Sequence, residues 1–260
     1  MSILLLTSTA GSPGVTTVAV GLALNWPRSV VLADCDPGAH QAVLAGFLGG
    51  RGAGGKGLLR VAEAYRDRRP LEEVVIDQTV PLTDDTQPSR LLLPGFSKPG
   101  SAALFGGVWS DLVDAFERLD DAGFDVIVDA GRMGAQGLPT PLVEAAATTA
   151  LVLGSDLRAV TSARVHRPTL LEQARSTTAD EPPGLLVVGP DRPYSAGEIG
   201  RALDSTVIAT IAHDMAGAAH LSDGRPRPRR FDHSAFARSL TDATTAIAAH
   251  LRRSTDRVRV

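Results

Sequence analysis

Gly11-Ser12-Pro13-Gly14-Val15-Thr16-Thr17 stands between an apolar run, Ile3 to Leu6, and a helix-like segment, Thr16 to Leu24. Strand, glycine-bearing turn and helix in that order form the frame of a phosphate-binding P-loop. In such a loop, successive backbone N–H groups and a helix N-terminus converge on phosphate oxygens, glycines allow close approach, and a Thr hydroxyl binds Mg²⁺. Those parts are in place, which makes Gly11, Ser12, Pro13, Gly14, Val15, Thr16 and Thr17 the candidate phosphate-binding residues and Thr16 the candidate Mg²⁺ hydroxyl. The loop's lysine is missing: Val15 occupies its position. That lysine sets a point charge between the β- and γ-phosphates, both in the ground state and as charge develops during transfer.

Composition limits the substitutes. The chain has two lysines, Lys56 and Lys98, against 24 arginines, so nearly all of its positive charge is guanidinium. Gly50-Arg51-Gly52-Ala53-Gly54-Gly55-Lys56-Gly57 matches Gly-x4-Gly-Lys and competes for the role of P-loop. It fails on two counts: position 57 is Gly rather than Ser or Thr, and the preceding Gln41 to Leu48 reads as a helix, not as a buried strand. A flexible glycine-rich loop is what it supports. Arg132 and Arg158 are long enough to reach a phosphate, although a planar fork approaches it differently from an ammonium.

At 260 residues and 43% apolar, the chain is long enough for one large α/β domain with a full core. Residues 1–253 are assigned to that domain and 254–260 to a basic C-terminal tail. The net charge of −3 argues against a protein that coats DNA globally, while leaving room for local basic patches. One cysteine, Cys35, excludes a disulfide framework within the chain and suits a reducing compartment. Met1 to Leu6 is too short for the apolar region of a signal peptide, and no apolar run approaches membrane-spanning length. A soluble cytoplasmic protein is expected, one able to sit peripherally at the inner face of a membrane.

Short Val-, Ile- and Leu-rich runs recur at Val30 to Ala33, Val74 to Val80, Leu91 to Leu93, Val126 to Val128, Leu151 to Leu153, Leu185 to Val188 and Val207 to Ile211. Runs without polar alternation fit strands buried on both faces of a mostly parallel sheet. Between them, Val108-Trp109, Leu112-Val113, Phe116 and Leu119 form an apolar stripe at helical spacing, and Leu157 to Arg175 and Ser234 to Arg253 read similarly. Alternating strand and helix predicts an α/β fold, a doubly wound, mostly parallel sheet with helices on both faces and the active groups at the carboxyl ends of the strands. Two strand ends carry acids. Asp34-Cys35-Asp36-Pro37-Gly38 follows the strand at Val30, and Asp129 closes Phe124-Asp125-Val126-Ile127-Val128-Asp129 in the manner of a Walker B aspartate. Asp36 is the candidate for orienting water, and Thr16, Asp36 and Asp129 are the candidate Mg²⁺ set. An acid at a strand end is commonly a cap or turn residue; three in register beside a P-loop point to phosphate chemistry.

Together these residues resemble the MinD/ParA family of P-loop ATPases, whose loop reads Lys-Gly-Gly-x-Gly-Lys-Thr-Thr. Against that pattern Ala10 replaces the dimer-bridging lysine and Val15 the P-loop lysine, while Asp34 to Pro37 matches the switch I sequence Asp-x-Asp-Pro and Asp125 to Asp129 the Walker B segment. Gly57-Leu58-Leu59 is similar to the family's Gly-Leu segment after switch I. Ser195 to Ile199 with Thr206 to Asp214 is similar to its late helix and strand, with Ala212 in place of a proline. Asp156-Leu157-Arg158 and Ala163-Arg164 resemble the CpaE/TadZ branch, whose members help to position pilus or secretion machinery and often carry altered ATPase motifs. The resemblance runs from Ile3 to about Leu251. It implies ATP or ADP with Mg²⁺ as ligands, weakened by the lost lysine, a homodimer formed across the nucleotide face, and a protein partner in a pilus, secretion or division machine.

Two functions follow from it: a degenerate ATPase that works as a localisation or scaffold protein, or a competent ATP-dependent dimerising switch of the kind that serves partition or septum positioning, with an arginine in the lysine's place. A third rests on Arg225-Pro226-Arg227-Pro228-Arg229-Arg230 and on Arg252, Arg253, Arg257 and Arg259, which could dock on DNA or anionic lipid. A stiff Pro-Arg connector and a frayed terminus explain the same residues. The six histidines lack metal-ligand spacing, Cys35 reads as a packed strand residue, and Trp26 and Trp109 read as core.

Overall fold

A computed structural model describes residues 3–9, 14–51, 54–98, 100–134, 137–175 and 182–258. The chain runs β1 (Ile3–Ser8), α1 (Val15–Asn25), β2 (Ser29–Asp34), α2 (Ala42–Ala45), α3 (Leu58–Arg66), α4 (Leu71–Asp77), β3 (Val80–Thr86), β4 (Ser89–Leu93), α5 (Trp109–Arg118), β5 (Phe124–Arg132), α6 (Thr140–Ala145), β6 (Thr148–Gly154), α7 (Leu157–Arg175), β7 (Gly184–Val188), α8 (Ala196–Leu203), β8 (Val207–Ile211), α9 (Met215–Ser222) and α10 (Ala235–Val258). The strands form one eight-stranded sheet in the order β3-β4-β2-β5-β1-β6-β7-β8. Every pairing is parallel except β3 with β4.

Because side chains alternate along a strand, each apolar run feeds two cores. Ile3 and Leu5, Val31 and Ala33, and Val126 and Val128 pack with α3, α4, α5 and α6 on one face; Leu4 and Leu6, Val30 and Leu32, and Ile127 pack with α1, α9 and α10 on the other. Leu151, Leu153, Leu185 and Val187 extend the first face under α7 and α8. A helix that is apolar on all sides belongs in a core rather than at a surface. α1 is such a helix: it buries Val15, Val18, Ala19, Val20, Gly21, Leu22 and Ala23, and lies between the sheet and α10. Trp26, just past α1, is buried, and its indole N–H donates to Asp125 Oδ2 at 3.0 Å. Asp125 Oδ1 also accepts from Arg28 at 3.0 Å, so the α1–β2 turn is fastened to the start of β5.

Three expectations need correction or extension. Val74 to Val80 is not a strand: residues 71–77 form α4, and β3 begins only at Val80. Leu71, Val74 and Val75 are buried at helical spacing, and Glu72 and Glu73 lie in the first turn, where the helix dipole favours acids. A short apolar run does not by itself separate a helix from a strand. Within Gln41 to Leu48 only Ala42–Ala45 is helical. That helix ends at Gly46, where a Cβ would overlap the Ser222 carbonyl oxygen of α9. At the other end of the chain, α10 continues through residue 253 as far as Val258. No helix among the described residues is long and apolar enough to cross a membrane.

Gly46→Ala must push α2 and α9 apart, since the obstacle is backbone and not a movable side chain. We expect it to cost at least ~1–3 kcal/mol, as overpacking does, read as a lowered denaturation midpoint. Gly106→Ala, with open space around its Cβ and helical φ, should stay within about 0.5 kcal/mol of the parent.

Candidate functional site

Parallel register places Asp34 of β2 beside Asp129 of β5, and Asp129 beside Leu6 of β1. Neighbouring partners in a parallel sheet project to the same side, and Leu6 faces α1. The two carboxyls therefore lie side by side at the carboxyl edge, beneath the start of α1. Both are buried, Asp34 with 8% and Asp129 with 1% of its surface exposed. Asp129 Oδ1 accepts from Gly131 N at 2.9 Å, while among the described residues Oδ2 is buried without a hydrogen bond of regular geometry.

Asp36 joins them from the loop after β2. Its carboxylate folds over Gly131, where a Cβ would overlap Cγ and approach Oδ2 to 2.6 Å. Gly131 also takes a positive φ of 60°, so this position needs glycine for both space and backbone. Asp36 Oδ1 accepts from Gly38 N at 2.8 Å, and Asp34 Oδ1 from Asp36 N at 3.3 Å. On the far side Gly95, after β4, presses on Asp34; a Cβ there would stand 2.6 Å from its Cγ.

Three acids so close cannot all ionise cheaply in a dry site. Burial, then the charge of Asp129 and that of Asp36, raises the Asp34 carboxyl to about 8. Burial likewise raises Asp129, to about 6, with Asp36 adding to it, while the Thr16 hydroxyl and the Gly131 N–H pull the other way. Cys35, packed in the core on the other face of the sheet, has its thiol held well above its ordinary range by burial and by the charges of Asp34 and Asp129. That agrees with a packed residue and not with a nucleophile.

Across from the acids, α1 begins at Gly14, whose φ of 83° is left-handed, and among the described residues no side chain caps this helix. Its first-turn N–H groups are left to a ligand or to water. Val15 is 7% exposed and packs in the core with Leu4 and Leu6. Thr16 stands against Asp129, and Thr17 lines a cavity of about 590 Å³ on the side away from the acids. Ala10, Gly11, Ser12 and Pro13, half of the predicted loop, lie outside the described residues.

The cavity is set at the carboxyl ends of β6, β7 and β8, and three helices start around it: α1 at Gly14, α7 at Asp156 and α9 at Asp214. Two of these termini are occupied by their own aspartates. Asp156 Oδ1 accepts from Ala159 N at 2.9 Å, and Asp214 Oδ1 from Ala216 N at 3.0 Å and Gly217 N at 2.9 Å. Among the described residues the α1 terminus has no such residue. Ser155 ties the wall together: its hydroxyl donates to the carbonyls of Gly189 and, at 2.9 Å, of Arg192, and accepts from Arg192 N at 3.2 Å. Arg158, Arg192, His213 and exposed Met215 complete the rim. Sequence reading missed Ser155 and Arg192. The rule that ligands gather beyond the carboxyl ends of parallel strands was the signal available for them.

The other charged candidates fall elsewhere. Lys56 donates to the Thr79 carbonyl at 2.9 Å, and its glycine loop leads into α3 rather than out of a strand. Arg132 closes β5 opposite Ser8 and is exposed. In the arginine run, Arg227 pairs with Asp232 and lies 5.3 Å from the Phe231 ring centroid, while Arg225 N donates to Ala219 O at 3.2 Å. The segment is folded against α9 and is no free connector, and Arg225, Arg229 and Arg230 remain exposed. Among the described residues no cluster of His, Cys, Asp and Glu is placed to hold a metal ion by itself. Mg²⁺ is ordinarily held by one or two carboxylates together with phosphate oxygens and water, a pattern that asks less of the protein.

Comparison with solved structures settles the fold. MinD cell division protein of Aquifex aeolicus superimposes with a TM-score of 0.71 at 18% identity, over 96% of this chain and 98% of that one. The fold is that of MinD and ParA. A ParA family ATPase of Chlorobium tepidum matches with a TM-score of 0.70 at 13% identity, covering 94% of this chain and 98% of its own. Pyrococcus horikoshii MinD, solved as its Mg-ADP complex, matches at 0.68 and 16% identity with 95% of each chain covered. No protein-family model matches the sequence, and no curated protein does. The MinD-like fold accounts for the strand order and for the placing of α1; at these identities it leaves the chemistry to the residues themselves.

Raised carboxyl pKa values carry a sign for stability. A carboxyl whose folded pKa exceeds its unfolded value near 3.9 favours the folded state most at low pH, and that contribution is lost as pH rises through the folded pKa. For Asp34 the window runs from about pH 4 to about 8. We expect the melting temperature of the ligand-free protein to carry a downward component between pH 5 and pH 8 that Asp34→Asn removes, since the amide mimics the neutral acid. Parallel pH profiles for the two proteins would show that Asp34 folds as a carboxylate.

Proposed function

We propose that this chain is a MinD/ParA-like nucleotide-binding protein with an impaired site, acting in the spatial positioning or assembly of a membrane-associated machine of the pilus or secretion type, with weak or absent ATPase activity. The observation that carries this reading is the division of labour around α1. The start of α1 has the acids on one side and a 590 Å³ cavity on the other, whereas the lysine position has been given over to core packing by Val15. A cavity of that size is ordinary for a cofactor-sized ligand. In this reading the backbone of residues 11–17 holds the phosphates, and Thr16, Asp36 and Asp129 hold Mg²⁺, Asp129 through an Oδ2 that has no hydrogen bond of regular geometry among the described residues, with Asp36 nearest to orienting water. When bound, the ion would neutralise phosphate charge. Pilus-type positioning, as in the CpaE/TadZ branch, rests on the sequence resemblance.

Losing the lysine removes charge-assisted bonds of ~1.5–3 kcal/mol each, which weakens nucleotide affinity by roughly ten- to hundredfold before any effect on the transition state. The nucleotide face, with Ala10 and Val15 for lysines, repels a second copy less, which supports a homodimer less dependent on ATP. Exposed Arg225, Arg229 and Arg230 are the surface for a protein, DNA or anionic-membrane partner. The competing reading, an active switch for partition or septum positioning, draws on Arg158 lining the same cavity as Thr17.

Calorimetric titration with ATP and ADP, with and without Mg²⁺, tests nucleotide binding directly. Purified protein should release phosphate no faster than a Thr16→Ala, Asp129→Ala double variant; an excess abolished by Arg158→Ala or Arg132→Ala would establish the active switch instead. Sedimentation should give a dimer with and without ATP, and a monomer in both conditions at all accessible concentrations would defeat the dimer.

A further inference from the structure

We infer that Arg158 and Arg192 supply, from the wall facing α1, the positive charge that the loop before α1 lacks, and that they bind the phosphate groups of the ligand in the cavity. This rests on the nucleotide-binding reading above and assigns its cation. The two side chains line the same cavity as Gly14 and Thr17. They come from different elements: Arg158 from the first turn of α7, and Arg192 from the loop after β7.

Four observations converge on them. First, neither guanidinium has an ion pair or a side-chain hydrogen bond among the described residues, whereas Arg28, Arg60, Arg90, Arg118, Arg167 and Arg227 each stand within 4.0 Å of a carboxylate. Second, the carboxylates that line the same cavity, Asp156 and Asp214, accept from helix N–H groups and are not paired with either arginine. Third, the backbone of Arg192 is pinned on both its N–H and its carbonyl by buried Ser155, and its Cδ lies 3.6 Å from where a Gly189 Cβ would be. The loop is held while the long side chain is left free. Fourth, both lysines of the chain are outside the cavity lining, so Arg158 and Arg192 are the lining's only Lys or Arg side chains among the described residues.

An uncapped helix start and two unpaired forks across a concave space form a site for an anion longer than a single phosphate. Its inner end meets the α1 amides and its flank meets the guanidiniums, which recognise phosphate oxygens two at a time. Arginine also stacks on a base, so the phosphate role must be separated from stacking.

Isothermal titration of the full chain with ATP, with inorganic tripolyphosphate and with adenosine, for the parent and for Arg158→Ala/Arg192→Ala, makes that separation. Both side chains are exposed, so the variant should fold, and its melting temperature checks this. We expect the double variant to lose ten- to hundredfold in ATP affinity, to lose tripolyphosphate binding to a similar extent and to keep the adenosine affinity of the parent. Affinity of the parent for tripolyphosphate should also fall more steeply with salt than that of the variant. Equal ATP and tripolyphosphate affinities in the two proteins would overturn the inference while leaving nucleotide binding intact. Loss of adenosine binding in step with ATP would overturn it in favour of stacking. A parent that binds tripolyphosphate but not ATP, with the variant binding neither, would support the anion role and remove the nucleotide reading. A parent that binds none of the three removes both.

Discussion

β1 is hydrogen-bonded on both sides, to β5 and to β6, and this central place in a parallel sheet governs the rest of the molecule. A strand so placed must release its chain at the carboxyl edge, between the ends of its two neighbours. The helix that follows has to return across the sheet, and α1 does so while buried under α10. Because β5 and β2 extend the same register, Asp129 and Asp34 arrive beneath the α1 terminus without any long-range search. On the other side β6, β7 and β8 bring three loops to the cavity wall. The strand order changes direction about β1, and a crevice opens where such a change occurs.

Two opposing electrostatic features meet at that edge. The uncapped start of α1 is worth a fraction of a kcal/mol to about 2 kcal/mol to a nearby anion, depending on burial. Burial of Asp34 and Asp129 next to each other acts more strongly in the contrary direction, since both carboxyls are pushed upward in spite of the helix. Such burial favours the neutral form of Asp34 above all, and a cation beside the two carboxyls would favour their ionisation. Asp129 Oδ2 is buried at that edge without a hydrogen bond of regular geometry among the described residues. An unsatisfied buried oxygen costs ~1–3 kcal/mol, a cost that a structure retains where some later partner relieves it.

Val15 shows how a single position can serve either the core or the chemistry. Its side chain joins Leu4 and Leu6 in the core, which favours stability of the α1–sheet contact. If the chain binds nucleotide as proposed, positive charge has to come from elsewhere in the fold. Arginine is the chain's only abundant cation, and Arg158 and Arg192 are brought to the cavity by α7 and the loop after β7. Under the proposed function, phosphate binding and phosphate transfer are separable. Backbone amides and forks can hold an anion, whereas transfer requires charge placed on the reacting oxygens.

Much of this architecture was legible in the residues. Uninterrupted apolar runs at Val30, Val126, Leu151 and Leu185 could be satisfied only by strands covered on both faces, and the turn at Gly14 could lead only into the all-apolar α1. Acids at the ends of two such runs, Asp34 and Asp129, marked the functional edge, because a parallel sheet gathers its strand ends together. Where local sequence was ambiguous the reading erred: Leu71 to Asp77 has the hydrophobicity of a strand and the acids of a helix start, and only packing against α5 decided between them. The antiparallel β3–β4 pair likewise depends on a hairpin whose direction no apolar pattern encodes. Above all, the assembly of the cavity wall was beyond reach from sequence, although Arg158 was a candidate there. Ser155, Arg158, Arg192 and Asp214 come from three separate crossovers, and no spacing along the chain relates them. Sequence by itself determined the alternation of elements, the helix start without a lysine and the acids at the strand ends, since these are local consequences of residue type. Tertiary structure alone decided which arginines line the cavity beside that helix start, because that depends on strand order.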